Sequence, residues 1–375
     1  MAELVALDLP AGPGFVDALR SVWDAGDAVL PVDPRLPRLA AIRLLAALRP
    51  SAVVSPSGRS ARDGGLPVEP GDALVVATSG TTGRPKGVVH THSSVAASAR
   101  LTSAGLDVDP GRDHWVSCLP LAHIGGLSVV TRSLVTGTPC TVLERFDPTA
   151  VEEAARRGAT LVSLVATALG RCDASGYRSV LLGGAAPPTG LPSNVVTTYG
   201  MTETGSGCVY DGRPLEGVEL RIGDGHLGAV GEILVRGPML LRAYRDGSDP
   251  RLVGGWLATG DSGCLEEDGT LVVFGRIAEV IVTGAEKVWP AEVEAVLMHH
   301  PGIAQVAVWK RPDPEWGERV VAWVVPVDGV PAPGLDELRE FVSADLARWS
   351  APRELVVVDS LPRTSGGKVR RTELA

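Results

Sequence analysis

Short apolar runs alternate along the chain with amphipathic segments. The run at 73–80 predicts a buried strand that enters a loop. The segment 93–105 predicts a helix with a serine cap, 125–137 a helix bounded by glycines, and 147–158 a helix with an aspartate cap and an early proline. The runs TLVSLVA, SVLLGG and NVVTTYG that follow predict further strands. Strands that alternate with helices predict an α/β domain with a mostly parallel sheet.

The pattern changes from Gly212 to Gly275, where alternating strands and glycine-rich turns predict an antiparallel β subdomain. The remaining chain has helical patterns at 289–300 and 335–349 between apolar strands. We therefore expect a large N-terminal α/β domain, with parallel sheets, flanking helices and the antiparallel subdomain, followed by a small α+β domain. The predicted domains are 1–277 and 278–375.

Composition limits the classes of function. With 45% hydrophobic and 21% charged residues among 375, the chain can bury a sizeable core. The net charge of -9 and the lack of a basic tract argue against nucleic acid as a partner. Five widely separated cysteines without a C-x-x-C pair disfavour zinc sites and a disulfide framework. No signal peptide and no run of about 20 apolar residues is evident, so we expect a cytoplasmic protein without a membrane span. A homo-oligomer stays possible.

The stretch VVATSGTTGRPKGVVHTH at 75–92 combines glycines, hydroxyl side chains and a lysine between two apolar runs. Glycines let backbone amides turn towards an anion, and hydroxyls and Lys86 add donors and charge. This combination suits a polyphosphate. It is not a Walker loop, because G-x-x-x-x-G-K-[ST] is absent. Composition alone leaves a polar turn as an equal alternative.

TSGTTGRPKGVVHTH resembles the signature loop of the adenylate-forming superfamily, which includes acyl-CoA synthetases, luciferase-like enzymes and adenylation domains. Further segments resemble the family's other motifs in the family's order: LPLAHIGG at 119–126, LLGGAAP at 181–187, TTYGMTETG at 197–205, WLATGD at 256–261 and LPRTSGGKVRR at 361–371. The resemblance implies ATP and Mg²⁺ as cofactors, coenzyme A as co-substrate, a carboxylic acid as the other substrate, and a mobile C-terminal domain.

The resemblance also implies roles for particular residues. Thr202 would bond the α-phosphate, Glu203 would hold Mg²⁺, and Lys368 would support adenylation. The other implied nucleotide and coenzyme A contacts are Thr78, Ser79, Gly80, Thr81, Thr82, Gly83 and Lys86 for phosphate, Gly183, Gly184, Ala185, Tyr199, Gly200 and Met201 around adenine, Asp261 and Arg276 for ribose, and Gly284 for the pantetheine arm. Ala278 replaces the usual aspartate or lysine of the hinge, and Ala285 replaces a common glycine.

The segments LPLAHIGGLSVVTRSLVTG, ATLVSLVATAL and VVTTYGMTETGSGCVYDGRPL, together with the early position of the signature loop, carry a closer resemblance. After about residue 25 the chain resembles the short actinobacterial o-succinylbenzoate–CoA ligases of menaquinone biosynthesis, with a trimmed N-terminal part. The family motif LPLAHIGG implies a histidine between the nucleotide and acyl pockets, His123. The resemblance to the o-succinylbenzoate ligases implies an arginine for the acid's second carboxylate, Arg132. An arginine can bind a carboxylate through two parallel hydrogen bonds. Ser163 and Gly200 would line the acyl pocket. A snorkelling surface arginine is the alternative interpretation of Arg132.

Three other functions stay open. The chain could be a CoA ligase for another aromatic or short-chain acid, or an adenylation enzyme that serves a separate carrier protein. LGGAA lacks the serine of a carrier attachment site, so the chain has no carrier module of its own. A non-catalytic nucleotide sensor is the third possibility. The presence of Lys86, Glu203, Asp261, Arg276 and Lys368 argues against it.

Overall fold

The computed structural model describes residues 1–79, 85–223, 228–363 and 369–374. Packing divides the chain into two compact units. The first comprises 1–220 with 234–258, and the second comprises 221–233 with 259–375. The division predicted from the sequence, 1–277 and 278–375, stays a prediction.

The helices of the described residues are short to medium in length. They are α1 Pro13–Asp24, α2 Arg38–Leu48, α3 His92–Gly105, α4 Ile124–Thr136, α5 Pro148–Arg156, α6 Ala166–Leu169, α7 Pro290–Leu297 and α8 Leu335–Asp345.

The strands are numbered in chain order. The first group is β1 Leu4–Leu7, β2 Ala28–Pro31, β3 Ala52–Ser55, β4 Gly58–Ala61, β5 Asp72–Ser79, β6 Pro85–Thr91, β7 Trp115–Ser117, β8 Cys140–Val142, β9 Leu161–Leu164, β10 Ser179–Leu182, β11 Val195–Met201, β12 Ser206–Tyr210 and β13 Arg213–Pro214. The second group is β14 Glu219–Ile222, β15 Gly231–Arg236, β16 Ala243–Tyr244, β17 Leu257–Leu265, β18 Leu271–Arg276, β19 Ile281–Thr283, β20 Glu286–Val288, β21 Ile303–Asp313, β22 Gly317–Pro326 and β23 Glu354–Val357.

The first unit contains a mixed sheet with the order β16-β6-β5-β2-β1-β3-β4. Strands β1, β2, β3 and β5 are parallel, whereas β4, β6 and β16 are antiparallel to their neighbours. Both central strands, β1 and β2, are fully buried, which explains why each is apolar along its whole length. Helix α1 buries Phe15, Leu19 and Val22, whose i, i+4, i+7 spacing places them on one face.

A second sheet of the first unit has the order β13-β12-β11-β10-β9-β7-β8. It is parallel from β8 to β11 and ends in the antiparallel strands β12 and β13. Helices α4 and α5 lie where the sequence predicted them, and Asp147 caps α5 through the amide of Ala150. The predicted serine cap of α3 is wrong. Thr91 is the cap, because its hydroxyl accepts from the amide of Ser94 at 3.1 Å.

Two further sheets complete the fold. One has the order β14-β15-β17-β18, and its last two strands are antiparallel. The other has the order β20-β19-β22-β21, with β23 parallel to β22. Helices α7 and α8 contribute Val293, Leu297, Leu338 and Val342 to the core over the second of these sheets. The predicted α/β fold with a smaller α+β part is confirmed.

Candidate active site

The hairpin of β5 and β6 carries the residues that flank the predicted phosphate loop. Thr78 on β5 pairs in register with Lys86 on β6, and Ser79 pairs with Pro85. The antiparallel ladder therefore holds the two flanks of the loop next to each other. The predicted contacts Gly80, Thr81, Thr82 and Gly83 lie outside the described residues, and phosphate binding at this loop stays a prediction.

A chain of contacts joins Lys86 to Glu203. The ammonium nitrogen of Lys86 lies 4.9 Å from the ring centroid of Tyr244. The hydroxyl of Tyr244 donates to Oε1 of Glu203 at 3.0 Å. The structure thus brings together two residues that the motifs assigned to phosphate and Mg²⁺. Sequence reasoning missed Tyr244, because it lies 41 residues beyond Glu203 in a two-residue strand that no periodic pattern marks.

Thr202 and Glu203 lie on a single 3₁₀ turn, Thr202–Thr204, between β11 and β12. The hydroxyl of Thr204 closes the turn by accepting from the amide of Met201 at 2.8 Å. The carbonyl of Glu203 accepts from the amide of Leu241 at 2.8 Å. No α-helix follows the turn, because the chain continues directly into β12.

His90 is a second residue of this region that the sequence did not reveal. It is fully buried on β6, and its Nε2 lies 2.7 Å from the carbonyl oxygen of Thr202. A carbonyl only accepts, so Nε2 carries the proton and donates. Burial lowers the pKa of His90 to about 4, although the bond to Thr202 opposes the shift. A neutral imidazole therefore links the strand that follows the phosphate loop to the Thr202–Thr204 turn.

The segments predicted to surround adenine follow neighbouring parallel strands. Gly183 and Gly184 come directly after β10, and the segment from Tyr199 to Met201 ends β11. A Cβ atom on Gly200 would lie 2.2 Å from the carbonyl oxygen of Ser206, so the close approach of β12 requires glycine there. The carboxyl ends of parallel strands at one sheet edge commonly bind nucleotides. Contacts of these residues and of Ala185 with adenine stay predictions.

His123 and Arg132 lie at the start and in the body of α4. His123 occupies the N-cap position with an exposed side chain that makes no capping hydrogen bond. Arg132 is 1% exposed, so its interpretation as a snorkelling surface residue is wrong. Ser163 is buried on β9. Roles of His123 and Ser163 towards the acid stay predictions.

The surroundings of Arg132 lack a carboxylate partner among the described residues. Nη2 donates to the hydroxyls of Ser128 at 3.3 Å and Ser206 at 3.1 Å, and the guanidinium lies 4.8 Å from the ring centroid of Trp115. Within the described residues, Nη1 of Arg132 and Nε1 of Trp115 are buried without hydrogen-bond partners. Burial lowers the pKa of Arg132, yet a guanidinium stays charged in proteins. The site therefore holds an uncompensated positive charge that favours a nearby anion.

The second unit pairs the two predicted ribose residues. Asp261 on β17 is opposite Arg276 on β18, and Nε of Arg276 lies 2.9 Å from Oδ1 of Asp261. Nη1 of Arg276 also donates to the carbonyl of Thr259 at 3.1 Å. The pair therefore presents a carboxylate whose orientation is fixed, as binding to a diol requires. Ribose contact itself stays a prediction.

Three other predicted features fall in the second unit. Gly284 has φ +58°, and a Cβ atom there would lie 2.4 Å from Cε3 of Trp316. Packing against Trp316 therefore accounts for this glycine, and passage of a pantetheine arm beside it stays a prediction. Ala278 lies in the 3₁₀ turn Ile277–Glu279. Lys368 lies outside the described residues. Arg371, three residues later, forms ion pairs with Glu279 at 3.0 Å and with Glu294 at 2.8 Å.

Residues 66–245 match the model of the AMP-binding enzyme family, and residues 292–368 match that of the AMP-binding enzyme C-terminal domain. A probable 2-succinylbenzoate–CoA ligase of Mycobacterium tuberculosis is 39% identical over 361 residues, which cover 88% of this chain and 92% of the relative. The chain belongs to the AMP-binding enzyme family. This membership confirms the adenylate-forming superfamily that the motifs indicated.

Solved structures of the family show the same fold. The o-succinylbenzoate CoA synthetase (MenE) of Bacillus subtilis in complex with the acyl-adenylate intermediate OSB-AMP has a TM-score of 0.87 and 29% identity, covering 99% of this chain and 88% of that one. The same enzyme in complex with ATP and magnesium ion has a TM-score of 0.86 and 28% identity, covering 99% and 89%. Across the part of this chain that the structure describes, no helix is long and apolar enough to cross a membrane.

Proposed function

We propose that this member of the AMP-binding enzyme family is an ATP-dependent ligase that joins 2-succinylbenzoate to coenzyme A. The observation that carries the choice of acid is the buried guanidinium of Arg132, which has no carboxylate partner among the described residues. A monocarboxylic acid would use its carboxylate in the reaction and leave this charge uncompensated. The similarity to ligases named for the same acid supports the choice.

The reaction has two steps. An acid carboxylate is already ionised at pH 7, so its attack on the α-phosphorus of ATP needs no general base. The new bond gives an acyl-adenylate and releases pyrophosphate. The thiolate of coenzyme A then attacks the acyl carbon, and AMP leaves. Such phosphoryl chemistry depends mainly on positioning and charge neutralisation.

The residues of the candidate site are suited to these demands. Lys86 would neutralise the β- and γ-phosphates, Thr202 would hold the α-phosphate, and Lys368 would support adenylation. The Glu203 carboxylate is the ligand type that Mg²⁺ prefers, and the ion would neutralise phosphate charge. Asp261 with Arg276 would hold the ribose. We also propose that 278–375 is the mobile domain and that Gly284 adjoins the coenzyme A path.

The acid's second carboxylate would bind at Ser206 rather than directly at the buried arginine. Ser206 is partly exposed and begins β12, two residues after the Thr202–Thr204 turn. Its hydroxyl accepts from Nη2 of Arg132 at 3.1 Å and donates to the hydroxyl of Ser128 at 3.3 Å, and on substrate binding this proton would be donated to the carboxylate instead. A hydrogen bond relayed from a charged donor is stronger than a neutral one. Arg132 would therefore select a dicarboxylate at this position through Ser206.

We propose that the enzyme acts in the cytoplasm. The five cysteines, all within the described residues, are free thiols, which fits a reducing cytoplasm. The product would be 2-succinylbenzoyl-CoA, the menaquinone intermediate implied by the resemblance.

A substrate panel tests the function. Purified protein would receive ATP, Mg²⁺ and either 2-succinylbenzoate, benzoate or a medium-chain fatty acid, with pyrophosphate release as the readout. Omitting coenzyme A separates adenylation from thioester formation. We expect the dicarboxylate to give the highest kcat/KM. Equal turnover of benzoate would refute the choice of acid, and product formation only with a carrier protein would refute coenzyme A as acceptor.

A further inference from the structure

Tyr244 contacts both Lys86 and Glu203, as described above. The position of Tyr244 is fixed by the backbone. Strand β16 pairs with β6, where Tyr244 is opposite Val88, two residues from Lys86. A tight turn follows, in which the amide of Gly247 donates to the carbonyl of Tyr244 at 2.9 Å. One side chain on an anchored strand thus meets a cation and a carboxylate from two different parts of the chain.

We propose that Tyr244 is a positioning residue for adenylation, with its ring placing the ammonium of Lys86 and its hydroxyl orienting the carboxylate of Glu203. The phosphate-binding cation and the Mg²⁺-binding carboxylate would then be held at a fixed separation. The inference rests on the proposed ligase function.

The contact with the Tyr244 ring would restrict the conformations of the Lys86 side chain. Lysine has a flexible four-carbon stem and a point charge without a preferred direction. An aromatic face attracts the ammonium and narrows the positions that it samples. The ring of Tyr244 would therefore reduce the ordering that ATP must impose on Lys86 when it binds.

The hydrogen bond from the Tyr244 hydroxyl would orient the carboxylate of Glu203. An ionised carboxylate offers about four acceptor positions, and donation from Tyr244 to Oε1 occupies one of them and fixes the carboxylate plane. The other positions suit an oxygen-seeking ion such as Mg²⁺. The amide of Leu241, three residues before Tyr244, holds the carbonyl of Glu203. The segment 241–244 therefore holds Glu203 at both its main chain and its side chain.

Calorimetric titration with ATP, in MgCl₂ and separately in EDTA, tests the two contacts without requiring turnover. The variants are Tyr244→Phe, which keeps the ring, and Tyr244→Leu, which removes ring and hydroxyl. Tyr177→Phe is the matched control, because its hydroxyl donates to the carbonyl of Val151, away from the residues that bind phosphate or Mg²⁺ in the proposal.

We expect Tyr244→Phe to weaken binding of MgATP about tenfold and binding of ATP in EDTA less than twofold, since a hydrogen bond to a charged group is lost. Tyr244→Leu should also weaken binding in EDTA, by about threefold, because the cation–π contact is lost. Tyr177→Phe should bind as wild type in both buffers.

Wild-type affinity of Tyr244→Phe for MgATP would overturn the inference, as would equal weakening in both buffers. If Tyr244→Leu fails to fold, Tyr244→Phe and the control still decide the role of the hydroxyl. A wild-type protein that binds no MgATP would overturn the inference together with the ligase function. MgATP binding without activation of any acid would refute the ligase function alone.

Discussion

Arg178 immediately precedes β10, and Arg132 lies on α4, which packs against the same sheet, but their charges have different partners. Arg178 donates from Nε and Nη2 to the two oxygens of Asp113, at 3.0 and 2.8 Å, and the Asp113 side chain is fully buried. Arg132 is more deeply buried than Arg178, yet its partners within the described residues are two hydroxyls and an indole ring. Arg178 therefore forms an ion pair with Asp113, whereas the charge of Arg132 is uncompensated among the described residues.

The two arginines show how a buried charge that binds a ligand differs from one that stabilises the fold. Removing a charge from water costs free energy that a paired and hydrogen-bonded partner offsets. For Arg178 the partner belongs to the fold. For Arg132 a substrate carboxylate can supply the missing compensation on binding. Burial alone therefore does not distinguish a structural arginine from a ligand-binding one. The distinction depends on whether the fold itself supplies a carboxylate partner.

The largest effect is expected for Arg178→Met, which leaves the buried carboxylate of Asp113 without its main partner. Breaking such a pair costs about 3 to 5 kcal/mol, so urea unfolding at pH 7 should show a loss near 3 kcal/mol, since Arg112 also contacts Asp113 at 3.2 Å. The ratio of kcat/KM between 2-succinylbenzoate and benzoate should not change. A change in that ratio would contradict the structural role.

The same pair predicts a pH dependence. Burial would raise the pKa of Asp113, but hydrogen bonds from Arg178, the Asp109 amide, Arg112 and Thr160 outweigh it and lower the pKa. A carboxyl with a lowered folded pKa contributes stability that is present above its unfolded pKa, about 3.9, and is lost as the pH falls below it. The unfolding free energies of wild type and Arg178→Met should therefore converge below about pH 4.

Arg132→Met tests whether the arginine without a carboxylate partner has a ligand-binding role. We expect kcat/KM for 2-succinylbenzoate to fall about hundredfold, equivalent to about 2.7 kcal/mol, and kcat/KM for benzoate to change less than threefold. The free energy of unfolding should stay the same or rise, because an uncompensated buried charge is removed. Arg178→Met is the control, because it should lower the free energy of unfolding and leave the ratio of kcat/KM between the two acids unchanged. Equal losses for both acids would show that Arg132 is structural.

The sequence predicted this site only in part, and the reason is the distance along the chain between its members. Periodicity placed Arg132 within a helix, but its hydrogen bond to Ser206 joins residues that are 74 positions apart. The motifs supplied Glu203, whereas Tyr244 and His90 reach the same turn from separations of 41 and 112 residues. The positions of α4 and α5 and the aspartate cap of α5 were predictable from their sequence patterns. The four-residue strands β1, β2 and β3 give no distinctive pattern.

His90 differs from both arginines, because a buried imidazole, unlike a guanidinium, can lose its proton. Its folded pKa of about 4 lies below the unfolded value near 6.5. The unfolded chain therefore binds more protons between these values, and stability falls as the pH falls. From pH 7 to pH 5 this contribution is about 2 kcal/mol.

His90→Gln keeps an N–H for the carbonyl of Thr202 and removes the titration. Urea unfolding of wild type and variant at pH 7 and pH 5 measures the difference. The variant should lose about 2 kcal/mol less than wild type on acidification. If wild type and variant lose the same free energy of unfolding between pH 7 and pH 5, the lowered pKa of His90 does not contribute to the pH dependence of stability.

The smallest effect concerns the hydroxyl through which Arg132 would act. Ser206→Ala removes the group that accepts from Nη2 of Arg132 and would donate to the substrate, so KM for 2-succinylbenzoate should rise about fivefold, a loss of about 1 kcal/mol. Ser133→Ala on the same helix as Arg132 is the matched control, since its hydroxyl donates to the carbonyl of Thr138. It should leave KM unchanged.

A double-mutant cycle decides whether Ser206 and Arg132 act as one unit. If the charge reaches the acid through Ser206, Ser206→Ala should have little further effect once Arg132→Met has removed the charged donor. Independent contacts would instead give additive losses. Additivity would mean that the substrate contacts Arg132 directly rather than through the hydroxyl, and α4 would then have to move to expose Arg132, which is 1% exposed.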